Sequence, residues 1–133
     1  KKPSRLLISG PKKKIFFIDL PNCELRLTPL EKTVFLFFLR HEEGVAFTQM
    51  EEHKNELMEI YMDLNPNVEH PKALRSIEQL IDLSDNSLNE KLSKIRKKIE
   101  NAVGFELSEY YVIAGNRTDK RSIGLDRNLV QLN

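Results

Sequence analysis

The chain has 133 residues, with 21 Lys and Arg against 20 Asp and Glu, three His, one Cys and no Trp. A chain of this length makes one domain that buries roughly two-thirds of its unfolded surface without staples, and a single Cys excludes an internal disulfide or a multi-cysteine metal site. The longest apolar run, residues 34–39, falls far short of the roughly 20 needed to span a bilayer, so no membrane partner is expected and the cytoplasm is the expected location.

Residues 5–9 and 14–20 are short runs rich in Leu, Ile and Phe on either side of the turn signal Gly10-Pro11, and they predict two antiparallel strands. A third short strand is expected at 24–27. Three helix starts then match the capping-box pattern, in which a Ser or Thr oxygen and a Glu carboxylate satisfy backbone donors reciprocally: Thr28 with Glu31, Thr48 with Glu51, and Ser87 with Glu90. The first, with Pro29 at its first helical position, predicts a helix over 28–40 that buries Leu30, Val34, Phe37 and Phe38. The second predicts a helix over 48–64 that buries Met50, Leu57, Ile60, Tyr61 and Leu64 and is stopped by Asn65-Pro66. One or two helical turns over 73–82 are expected within an irregular linker, residues 65–86. A third core helix, 87–102, carries Leu88, Leu92, Ile95 and Ile99 as its buried stripe. Strands at 110–114 and 122–125 flank the charged, turn-rich residues 115–121 and predict an exposed hairpin. The class is α+β: N-terminal antiparallel strands, a three-helix core with an extra helical linker, and a C-terminal β-hairpin, in a single domain spanning 1–133.

The near-neutral total hides a pattern. Residues 1–40 hold nine Lys and Arg against three Asp and Glu, residues 41–90 three against twelve, and residues 91–133 nine against five. On the wheel of the third core helix, Ser93, Lys94 and Lys97 lie opposite the apolar stripe, with Lys91 and Lys98 at one edge and Asn89 and Arg96 at the other. Such a face fits the major groove of double-stranded DNA, where Lys and Arg reach phosphates and guanine edges. The helix N-terminus would add backbone amides for phosphate, and the hairpin adds Arg117, Lys120 and Arg121. On this reading the two basic ends of the chain converge on one face.

At these residues the chain resembles the winged-helix DNA-binding effector domains of the OmpR/PhoB type, found at the C-terminus of bacterial response regulators. The likeness rests on Leu25-Arg26-Leu27-Thr28-Pro29-Leu30-Glu31 at the first helix entry, on Lys94-Ile95-Arg96-Lys97-Lys98-Ile99 in the third core helix, and on Tyr111-Val112-Ile113-Ala114-Gly115-Asn116-Arg117 at the hairpin. It implies a winged helix-turn-helix that binds double-stranded DNA in transcription regulation. Ser93, Lys94 and Lys97 would face the bases, and Lys91, Lys98, Arg117, Lys120 and Arg121 the phosphates. The chain departs from the family in the long linker, whose Glu69, Glu78, Asp82 and Asp85 fall near the DNA-reading end, and in the hairpin, which lacks an aromatic after Gly115. The competing reading is a protein-interaction module that docks a basic partner on the acidic stretch 51–85, through Glu51, Glu52, Glu56, Glu59, Glu69 and Glu78.

No catalytic pattern is present in the sequence. His41, His53 and His70 are scattered, with no His-Glu-x-x-His pair, so each is read as structural or solvated and no metal site is expected. Cys23 has no activating context and reads as a small packed residue. Neither a P-loop nor a dinucleotide fingerprint occurs, and no cofactor or enzyme activity is expected.

Overall fold

A computed structural model of the chain describes residues 1–115 and 119–133. Its centre is helix α1, Pro29–Arg40, in which residues 33–39 are all buried, with Phe35, Phe37 and Phe38 fully so. Val34, Phe37 and Phe38 are buried as expected, but Leu30 is only half-buried, and the burial extends beyond one stripe to enclose residues 33–39. A helix that is apolar all round has to be surrounded, and each enclosed Phe contributes roughly 2–3 kcal/mol. Its capping box forms as expected: the Glu31 N–H donates to Thr28 Oγ1 at 3.3 Å, and the Thr28 N–H donates to Glu31 Oε1 at 3.0 Å.

Around α1 the chain runs as strands β1 (Leu6–Ser9), β2 (Lys14–Phe17) and β3 (Glu24–Leu25) before it, and β4 (Val45–Ala46) directly after. A 3-10 segment, Phe47–His53, leads into α2 (Lys54–Leu64), followed by α3 (His70–Ile81), α4 (Ser87–Val103) and the short α5 (Phe105–Ser108). Strands β5 (Ile113–Gly115) and β6 (Lys120–Ile123) form a hairpin, and β7 (Val130–Leu132) ends the chain's ordered elements. One sheet has the order β3-β2-β1-β7, antiparallel except for the parallel pair β1 and β7; the other has the order β4-β6-β5, antiparallel throughout. The class is α+β, and among the described residues no helix is long and apolar enough to cross a membrane.

Two of the three expected capping boxes do not form. At the second, Gln49 Oε1 accepts from the Ala46 N–H at 2.9 Å, and the chain starts in the tighter 3-10 geometry that puts Met50 fully in the core directly after β4. At the third, Asp85 Oδ1 takes the Ser87 N–H at 2.8 Å, so Asn86 becomes the cap position and Ser87 the first helical residue. The Asp85 carboxylate, two residues upstream, thus takes the backbone N–H that the expected box assigns to the Glu90 carboxylate. The extra helix is a full element: α3 starts at His70, three residues earlier than expected, and packs on α2 and α4 through Ala73, Ile77, Leu80 and Ile81. The hairpin strands also differ from the expected 110–114 and 122–125: β5 is shorter, at Ile113–Gly115, and β6 is shifted two residues earlier, to Lys120–Ile123. Residues 110–112 form a turn, in which Tyr111 fills the core against Phe17 and donates its hydroxyl to the Ser4 carbonyl at 2.6 Å. Burial pushes that phenol up to about 12.

The ends of α1 are held from distant parts of the chain. At the N-terminus, Glu31, 2% exposed, accepts from Lys98 Nζ of α4. At the C-terminus, Arg127 donates to the carbonyls of Leu39 at 2.7 Å and Phe38 at 3.2 Å, and to those of Ile123 at the end of β6 and Leu125 just after it. The bond to Leu39 satisfies a carbonyl at the end of the buried helix, and the bond to Phe38 adds to the one its carbonyl already accepts from the His41 N–H.

Burial pushes the Glu31 carboxyl up, but the bonds from Lys98 and Thr28 outweigh it and hold the group below its ordinary value. The unfolded chain therefore takes the proton more readily, so this stabilisation is complete at neutral pH and lost as pH falls through and below the ordinary carboxylate range. Lys98→Met is expected to cost about 2 kcal/mol in urea unfolding at neutral pH, less than the ~3–5 kcal/mol of a fully enclosed pair because the Lys98 side chain is 37% exposed. The difference between parent and variant should shrink as the pH is lowered and Glu31 protonates.

Candidate nucleic-acid interface

The buried stripe of α4 is as expected, with Leu88, Ile95 and Ile99 in the core and Leu92 packed at its edge. This sets the opposite face by geometry: Ser93, Lys94 and Lys97 are exposed and Lys91 half-exposed. Among the described residues, Lys91, Lys94 and Lys97 have no side-chain hydrogen bond or ion pair. Lys98 differs from the expectation. Its ammonium turns back onto Glu31, so it serves the fold instead of standing ready for a phosphate.

The hairpin lies beside the same helix. Asn89, Leu92, Ser93 and Arg96 of α4 and residues 113–115 and Arg121 of the hairpin line one groove of about 200 Å³. Arg121 crosses its floor, where an added Cβ on Gly115 would lie 2.6 Å from the guanidinium, and the same guanidinium sits 5.0 Å above the Phe47 ring. This stacking on an aromatic face restrains a cation that would otherwise be mobile. Lys120 lies on the same strand, whereas Arg117 lies outside the described residues.

Other groups of the expected surface have partners within the fold. The N-terminus of α4 does not present a free amide to phosphate at Ser87, because Asp85 occupies it. Lys13 of the N-terminal basic block lines another groove, with Ile8, Leu36, Leu39, Arg127 and Val130. Arg5 is spent on Asp19, Arg26 on Glu24 and Arg40 on Glu56. The Arg5 hydrogen bonds bring the Asp19 carboxyl down to about 2.

The acidic stretch is partly consumed as well. Glu51, Glu52, Glu59 and Glu69 are exposed, but Glu78 pairs with Lys54 at 2.9 Å and Glu56 accepts from His41 at 2.9 Å. Asp82 holds Ser84, whose hydroxyl and backbone N–H keep its carboxyl below the ordinary value. His41 and His53 are not scattered in space. Their rings lie 4.9 Å apart and both face Glu56, while His70 is exposed at the start of α3. The one local signal was the spacing of His53 and Glu56, three residues apart on one helical face. Cys23 packs as expected, with its thiol on the Ala102 carbonyl at 3.4 Å, and burial pushes it up.

No protein-family model matches the chain, and neither the curated proteins nor the solved structures contain a match to it.

Gly44 fixes how the hairpin meets the helices. Its φ is +88°, and an added Cβ would lie 2.6 Å from the Arg121 carbonyl oxygen, at the point where Val45 pairs with Arg121. Gly44→Ala is therefore expected to cost about 2–3 kcal/mol in unfolding experiments and to weaken amide protection along β6. Gly10→Ala, at φ +78° with nothing within 4 Å, carries only the conformational part, about 1 kcal/mol.

Proposed function

We propose that the chain is a winged-helix domain, akin to the OmpR/PhoB-type effector domains it resembles in sequence, and that it binds double-stranded DNA as a bacterial transcription regulator. Helix α4 is the recognition helix and the β5-β6 hairpin the wing. The observation that carries this reading is the groove in which the polar edge of α4, Asn89, Ser93 and Arg96, adjoins Arg121 of the hairpin, next to the exposed Lys94 and Lys97. The strand order supports it: β4, which lies between α1 and α2, pairs with the second hairpin strand, so the hairpin is anchored at the helical core.

A helix about 10–12 Å across fits the major groove, and here Lys91, Lys94 and Lys97 are not diverted into the protein. Ser93, Lys94 and Lys97 would face base edges. Lys91, Lys120 and Arg121 would lie against phosphate, which positions the domain without reading sequence. Lys98 leaves the phosphate-contacting set because Glu31 holds it. The acidic alternative, docking of a basic protein on residues 51–85, has less support, because two of its six carboxylates are already committed within the fold.

The test is binding to random duplex followed by fluorescence anisotropy across a salt series. Affinity should fall with a log-log slope of about −0.9 for each phosphate neutralised, and Lys94→Ala with Lys97→Ala should weaken binding at every salt and flatten the slope by about 2. Absence of binding at low salt, or a double variant that binds like the parent, would remove the proposal.

A further inference from the structure

His41 ends α1, His53 ends the 3-10 segment and Glu56 lies in the first turn of α2, so three elements bring these side chains to one point. Glu56 Oε1 lies 2.9 Å from His41 Nε2 and 3.6 Å from His53 Nδ1, and one nitrogen or oxygen from each of the three falls within 4.8 Å of the others. Arg40 approaches the other carboxylate oxygen, Oε2, at 3.7 Å. Both imidazoles are held by Phe37, whose ring centroid is 4.5 Å from that of His41 and 5.2 Å from that of His53. The side chains of His41, His53 and Glu56 are 19%, 27% and 27% exposed, enclosed enough to be fixed in place and open enough to admit an ion and water.

We propose that His41, His53 and Glu56 form a binding site for a divalent transition-metal ion of the zinc type. In a tetrahedral site with bonds of about 2.0–2.2 Å, neighbouring ligand atoms are about 3.3–3.5 Å apart, which the 2.9 and 3.6 Å contacts to Glu56 Oε1 bracket. Two imidazoles with one carboxylate select zinc, cobalt or nickel over magnesium and calcium, which need more oxygen ligands. His41 would ligate through Nε2 and carry its proton on Nδ1, and water would complete the coordination. Arg40 is half-exposed and can move into solvent as the ion neutralises the carboxylate. The ion clamps the end of α1 to the start of α2 on either side of β4, the strand that holds the hairpin. This inference does not depend on DNA binding.

The test uses the full chain, freed of metal with a chelator and titrated with Zn²⁺ by calorimetry and thermal melting. One ion per chain should bind, and the melting temperature should rise by about 5–10 °C near a hundredfold excess over the dissociation constant. Co²⁺ should give visible ligand-field bands without the intense thiolate band that Cys23 ligation would produce. His53→Ala and Glu56→Gln should each weaken binding by more than about 100-fold, while His70→Ala should leave it unchanged. Circular dichroism and the metal-free melting temperature establish that each variant is folded, and His53→Asn replaces His53→Ala if that variant is not. No rise in melting temperature with Zn²⁺, or equal binding by a folded His53 variant, would overturn the proposal.

Discussion

The structure depends on a helix whose middle two turns have no solvent face. With residues 33–39 of α1 all buried, every other element is placed by the need to cover it, and its two ends must find polar partners inside the protein. Lys98 comes from α4 to the Glu31 end, and Arg127 comes from beyond the hairpin to the Phe38 and Leu39 carbonyls. Arg127 also grips the carbonyls of Ile123 and Leu125, so the guanidinium that closes α1 also fixes the exit of β6. Covering one enclosed helix thus orients both α4 and the hairpin, the two elements that form the proposed DNA surface.

That dependence accounts for which charges are left for a partner. A net charge of +1 reads as neutral, but five of the nine basic residues of the first forty have partners in the fold: Lys1, Arg5, Arg26 and Arg40 meet carboxylates, and Lys32 donates to the Lys12 carbonyl. The acidic middle is partly absorbed by Lys54 and His41. Lys91, Lys94 and Lys97 have no such partner among the described residues, because the face that carries them is the one the buried stripe of α4 turns outward. The same enclosure accounts for the histidine pair: His41 leaves the end of α1 where Phe37 is buried, and α2 returns Glu56 to it.

What could be read from sequence was what adjacent residues decide. Thr28, Pro29 and Glu31 act within one helical turn, and Leu88, Leu92, Ile95 and Ile99 repeat within one helix, so that capping box and that stripe were legible. The Ser87 box failed to a competitor two residues away, Asp85, and the Thr48 box to the demand that Met50 enter the core just after a strand. Strands β4 and β7, two and three residues long, are too short for alternation and exist only because β6 and β1 offer edges. The roles of Lys98 and Arg127 and the meeting of His41 with His53 are long-range pairings, which no local pattern encodes.

The central claim is that α4 and the β5-β6 hairpin form one DNA-binding surface, and amide NMR during titration with a random-sequence duplex at low salt tests it residue by residue. The account predicts shifts at Asn89, Ser93, Lys94, Lys97, Lys120 and Arg121 that saturate together and vanish as salt is raised. Shifts centred instead on Glu51, Glu52, Glu59 and Glu69, or none at all, would contradict it.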